Sequence, residues 1–174
     1  SHYDKNTNQG PAFEKLKASI WNTDGLVIAS PIWNFSVPAH LKNAIDRMGC
    51  FALDDTHSVG TLKGKPVFLL YTGGSPAPAW GLMKRTTSHM PISLQYFGAC
   101  IVGQHYEGRA TAGRGVFKEV LSGRPERLAI AEAKGKEFGA VVARYAKDGR
   151  LPVKLVLMKK FFQFGGKMKK ALGL

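Results

Sequence analysis

The sequence has 174 residues, 44% of them hydrophobic, which suits a single domain with a proper apolar core and excludes a wholly disordered chain. Its 25 Lys and Arg against 12 Asp and Glu give a formal charge of +13, which favours anionic partners such as nucleotides, phosphates, nucleic acid or acidic lipid without choosing among them. Cys50 and Cys100 stand far apart with no CxxC or Cys/His spacing and read as reduced, buried thiols of a cytosolic protein, and no apolar run of about 18 residues or signal-peptide pattern supports a spanning segment or secretion.

Pro11 stands where a first helical turn would begin, and Phe13, Leu16, Lys17, Ile20 and Trp21 recur at helical spacing until Asn22-Thr23-Asp24-Gly25 breaks the pattern. Residues 26–29, 67–71 and 99–102 are short continuous apolar runs, the pattern of strands covered on both faces. Between them, residues 41–48 and 79–97 predict helices, the second kinked or interrupted by Pro91. A long helix is predicted over 125–147, with Asp148-Gly149 as its stop. Strands alternating with helices imply parallel pairing, hence an α/β open sheet with helices on both faces.

The tail, residues 150–174, carries seven basic residues and no acid, interleaved with Phe161, Phe162, Phe164, Met168 and Leu172. Such a basic amphipathic segment can pack on the domain or on a second subunit, lie against an acidic membrane surface, or bind nucleic acid. The chain therefore divides into a domain over 1–149 and this tail.

Two connections at strand ends stand out, because in an open parallel sheet ligands bind beyond the carboxyl ends of the strands. SPIWNFSV, residues 30–37, is stiffened by Pro31, precedes Pro38, and presents Trp33, Asn34 and Phe35. YTGGSPAPAWG, residues 71–81, offers backbone N–H groups at Gly73 and Gly74, where glycine permits positive φ and close approach of a ligand, with hydroxyls from Thr72 and Ser75. Each alone could be plain loop packing or a turn. Together they suit a flat heteroaromatic ligand, with an aromatic and amide edge on one side and backbone donors on the other.

The combination SPIWNFSVPAHLKNAIDR, residues 30–47, and KGKPVFLLYTGGS, residues 63–75, resembles the flavodoxin-like NAD(P)H-dependent FMN reductase and quinone reductase family, which includes the FMN-dependent azoreductases. The resemblance covers residues 10–147. It implies a flavodoxin-like sheet carrying FMN, with the isoalloxazine held by Pro31, Ile32, Trp33, Asn34 and Phe35 on one side and Thr72, Gly73, Gly74 and Ser75 on the other. It also implies ping-pong hydride transfer from NADPH or NADH through flavin N5 to a small-molecule electron acceptor such as a quinone or azo compound, in a cytoplasmic homodimer. Flavin N5 carries that chemistry, so no catalytic side chain is expected, and no metal. The alternative is a flavodoxin-like flavin-binding or regulatory module without turnover, with peripheral membrane contact through 150–174. Nucleic acid is not an expected partner.

In the family, a first βαβ unit cradles the FMN phosphate with a Ser/Thr-rich loop, and SHYDKNTNQG offers nothing like it. The expectation is an omitted upstream segment, with strands supplied by another chain or a cut-down relative as alternatives. His40, His57, His89 and His105 show no metal spacing and read as structural or solvated, although His89 follows the second loop and could reach an acceptor pocket. Asp46 and Arg47 read as positioning their helix or a dimer contact.

Overall fold

The computed structural model describes residues 10–48, 62–111 and 123–149. The expectations for Cys50, His57 and the tail 150–174 lie outside the described residues.

Three strands, β1 (Leu26–Pro31), β2 (Pro66–Thr72) and β3 (Cys100–Glu107), form a parallel sheet in the order β1-β2-β3. Leu26 pairs with Val67 and Pro31 with Thr72, so β1 and β2 end level with one another. β2 and β3 run from Pro66 opposite Cys100 to Thr72 opposite Glu107, with a register shift at Val67/Phe68. The third strand is longer than residues 99–102 because Gln104 to Glu107 continue the pairing although their composition is polar. Flavodoxin-like α/β architecture is thus the observed class.

β2 is central, and its side chains alternate between two covered faces. Val67, Leu69 and Tyr71 are fully buried in one cluster with Phe13, Ile20, Ile45, Met90, Leu94 and Tyr106. Those residues come from α1 (Pro11–Asn22), α2 (Ala39–Arg47), the helix at His89–Tyr96 and β3. On the opposite face Phe68 meets Phe138 with ring centroids 5.8 Å apart, and the gap left by Gly103 accommodates the Phe68 ring. Phe138 lies in the 24-residue helix Pro125–Asp148, which ends at Gly149 with φ 61°, the left-handed cap that glycine accepts.

Two expectations change. β1 is not covered on both faces: it is one of the two edge strands among the described residues, and Val27 is 58% exposed with Ala29 exposed on the same face. The single helix over 79–97 is three pieces, α3 (Ala77–Met83), a 3-10 turn (Lys84–Thr87) and α4 (His89–Tyr96). The break falls at Thr87-Ser88, where the Thr87 and Ser88 hydroxyls donate to the carbonyls of Lys84 and Arg85 at 3.3 and 2.7 Å. Pro91 interrupts nothing, because it occupies the first turn of α4, where its missing N–H has no helical acceptor to lose. The helix Pro125–Asp148 is α5.

α1 ends on a buried lysine from outside the helix. Lys65 Nζ donates to the carbonyls of Ile20 at 2.6 Å and Trp21 at 3.0 Å, and to that of Thr23. No helix among the described residues is long and apolar enough to cross a membrane.

Candidate functional site at the carboxyl ends of β1 and β2

Because Pro31 and Thr72 are register partners, the two connections singled out in the sequence leave the sheet side by side. Pro31 is itself the last residue of β1, and the Ile32 N–H donates to the Thr72 carbonyl at 2.7 Å, extending the pairing one step further. The chain then reverses. Trp33 and Ser36 exchange two backbone hydrogen bonds, 2.8 and 3.0 Å, around Asn34 and Phe35, whose φ values are 48° and 64°. Two central residues with positive φ inside a two-residue loop are the pattern of a type I′ turn, usually filled by Asn and Gly. Here Phe35 fills the glycine place and stands 65% exposed, beside Trp33 at 48%.

After the turn, Val37 is buried, and Pro38 caps α2. α2 is held to α1 by the Arg47 guanidinium, 4.4 Å above the centre of the Phe13 ring, while Asp46 pairs with Lys42 one turn away. His40 is exposed on α2, and His89 Nε2 is buried without a hydrogen-bond partner among the described residues.

The second loop is held from the β3 side. The Gly73 N–H donates to the Glu107 carbonyl at 3.1 Å, and the Gly73 carbonyl accepts the Ala110 N–H at 2.9 Å. Since C=O and N–H point in opposite directions across a trans peptide, the Gly74 N–H is directed away from β3, and β1 lies on that other side of β2. The N–H groups of Gly74 and Ser75 bond to none of the described residues. Of the three N–H groups, those of Gly74 and Ser75 are therefore the ones left without a bond to a described residue, while Gly73 is committed to the sheet. Neither Gly73 nor Gly74 has positive φ. Glycine is required at 73 for space: a Cβ there would lie 2.5 Å from Tyr106 Oη.

Tyr106 and Glu107 are the residues the sequence reading missed, since they lie past the apolar run that signalled the third strand. Tyr106 donates its hydroxyl to the Ser75 carbonyl at 3.0 Å and stacks on Trp80 of α3, centroids 4.7 Å apart and planes 3° from parallel. Trp80 in turn meets the buried Tyr71, centroids 5.2 Å apart. The Tyr71 hydroxyl has no partner among the described residues, and burial pushes its pKa up to about 12.

Glu107 is buried and accepts both Arg127 nitrogens, Nε at 2.8 Å on Oε1 and Nη2 at 2.8 Å on Oε2, with His105 Nε2 3.3 Å away. Burial alone would raise its pKa, but the Arg127 hydrogen bonds and charge, with His105, outweigh it and hold the carboxyl below the ordinary glutamate value. Beside this pair an open cleft of about 310 Å³ is lined by Pro76, Ala77, Arg109, Arg124 and Glu126, among others. The other sizeable cleft, about 250 Å³ around Trp21, Lys65 and Tyr145, lies at the opposite end of the sheet, where β1 and β2 begin. Among the described residues no group of three His, Cys, Asp or Glu could hold a metal ion.

The sequence profile of the family described as NADPH-dependent FMN reductase matches residues 1–108. An FMN-dependent NADH:quinone oxidoreductase of Nitratidesulfovibrio vulgaris strain DP4 is 36% identical over 77 residues, which is 38% of this chain and 37% of that protein. Another, from Shewanella frigidimarina strain NCIMB 400, is 40% identical over 65 residues, 35% of this chain and 33% of its own length. The chain thus spans about a third of the length of these curated relatives. A solved structure described as a flavone reductase shares the fold, with a TM-score of 0.52 and 14% identity over 84% of this chain and 49% of that one. The profile takes in all three strands and both loops at their ends, and on that match the chain belongs to the NADPH-dependent FMN reductase family.

Proposed function

We propose that this chain binds FMN between the two loops and serves an NAD(P)H-dependent oxidoreductase whose acceptor is a quinone, an azo compound or a related small molecule. The single observation that carries the reading is the strained turn at Asn34-Phe35, which holds an exposed aromatic ring on the loop that leaves the sheet next to the one carrying Gly74 and Ser75, whose N–H groups bond to none of the described residues. Strain of this kind persists where the surrounding structure imposes it, and functional sites are where it gathers.

The residues present fit such a group. Trp33 and Phe35 supply an apolar wall, Pro31 and Ile32 the rim at the strand end, and the Asn34 amide a polar contact with no partner among the described residues. Gly74 and Ser75 supply N–H groups for the ring edge where negative charge grows on reduction, with the Thr72 and Ser75 hydroxyls next to them. When bound, FMN would supply the redox chemistry, taking hydride from NADPH or NADH at N5 and passing it on in ping-pong order. The chain's own part is to bind, orient and shield the ring. The names of the relatives support FMN with NADH and a quinone as the first combination to try.

The test is direct. The full chain is mixed with FMN, passed through a gel-filtration column, and then supplied with NADPH or NADH and menadione. Co-eluting flavin and acceptor-dependent consumption of the nicotinamide are expected. Absence of flavin from the protein peak overturns the reading, and retention by an Asn34→Ala, Phe35→Ala double variant with unchanged affinity removes the first loop from it.

A further inference from the structure

We propose that Tyr106 is a positioning residue for the Gly74-Ser75 donors, fixing the second loop from beneath in the one shape that presents both N–H groups to a ligand. The inference rests on the flavin reading above and deepens it. The backbone groups on either side of these donors are held. Gly73 exchanges bonds with Glu107 and Ala110, and the Ser75 carbonyl accepts twice, from the Tyr106 hydroxyl at 3.0 Å and from the Arg109 N–H at 3.2 Å.

Tyr106 is the one side chain among those contacts, and it is rigid for its own reasons. It is 6% exposed and stacked flat on Trp80, so its hydroxyl has little freedom to leave the loop. Burial raises its pKa above the ordinary tyrosine value, with the Ser75 bond opposing and the Glu107 charge assisting, so it stays a donor through neutral pH. Gly73 is matched to it, because a Cβ at 73 would lie 2.5 Å from Tyr106 Oη and 3.1 Å from Cε2. A residue at 73 larger than glycine and the hydroxyl at 106 compete for one place.

Tyr106→Phe keeps the stacked ring and removes only the hydroxyl. In the full chain it is expected to melt within a few degrees of wild type. Amide exchange at Arg109 and Ala110, which close the loop, should become faster in the flavin-free protein. The FMN dissociation constant should rise about fivefold, roughly the worth of one hydrogen bond. The midpoint potential of the bound flavin should fall, because weaker donors stabilise the reduced ring less. Gly73→Ala should weaken FMN binding in the wild-type background and cost less when combined with Tyr106→Phe, since the oxygen its methyl would meet is gone.

Wild-type FMN binding with unchanged affinity, potential and amide exchange in Tyr106→Phe overturns the positioning role alone. Additive effects of Gly73→Ala and Tyr106→Phe do the same. Failure of the wild-type chain to bind FMN overturns the flavin reading, and this role with it.

Discussion

Asn34 and Phe35 share a backbone region that asparagine visits readily and phenylalanine does not, because Cβ crowds the following carbonyl at positive φ. The cost is about 1–2 kcal/mol, and the exposed Phe35 ring recovers little of it through packing. Phe35→Gly releases that strain while adding glycine's unfolded-state freedom, two effects that oppose each other. Its unfolding free energy in urea is therefore expected within about 1 kcal/mol of wild type. FMN affinity is expected to fall by about tenfold through loss of the apolar wall, an amount equivalent to burying part of an aromatic face. Equal flavin titrations for the two proteins would mean that the ring has no share in binding. The prolines at 31 and 38 marked this loop in the sequence, but nothing in an aromatic side chain announces positive φ. Gly73 misled in the opposite direction: its type suggested backbone freedom, and the space taken by Tyr106 is what requires it.

At the level of elements, α1 depends on a residue 42 positions beyond Thr23, since Lys65 supplies the donors for its last carbonyls. Cations suit a helix carboxyl end, and a buried one suits it where water has limited access. Burial pushes the Lys65 pKa below the ordinary lysine value, with the Asp24 charge opposing. Lys65→Met keeps the aliphatic stem and removes every donor, so it should destabilise the fold by about 2–3 kcal/mol, the range for leaving buried acceptors unsatisfied. Urea unfolding measures this, and a loss below about 0.5 kcal/mol would mean that water replaces the ammonium, as the adjoining cleft at Trp21 and Tyr145 would allow. Helical periodicity in residues 11–22 was legible from sequence, whereas the identity of its cap was not. The same limit appears between α3 and α4. Periodicity runs through both segments, and hydroxyls at Thr87 and Ser88 back-bonding to nearby carbonyls decide the break.

Across the whole molecule, the Glu107 and Arg127 pair ties the end of β3, and through the Glu107 carbonyl the second loop, to the start of α5. Its folded pKa lies below the unfolded value, so its contribution to stability is fully present above the ordinary glutamate value of 4.5 and is lost as pH falls through the lower folded value. Glu107→Gln should lower stability at neutral pH and flatten the acid limb, a comparison made by urea unfolding at pH values on either side of 4.5. Parallel slopes for the two proteins in acid would show that other carboxyls govern that limb. The fold class was legible in the chain alone: apolar runs alternating with helical periodicity specify a parallel open sheet, and two motifs at strand ends mark the loops proposed to hold a flat ligand. Those signals are local, carried by neighbours in the chain. Folding in three dimensions settled what those signals could not: the Gly74 and Ser75 N–H groups, unlike that of Gly73, bond to none of the described residues, Tyr106 and Glu107 bond to the same loop, and the Val27 side chain stands exposed. Each of those depends on register between strands far apart in sequence, where a hydrogen bond is gained or withheld by alignment and not by residue type.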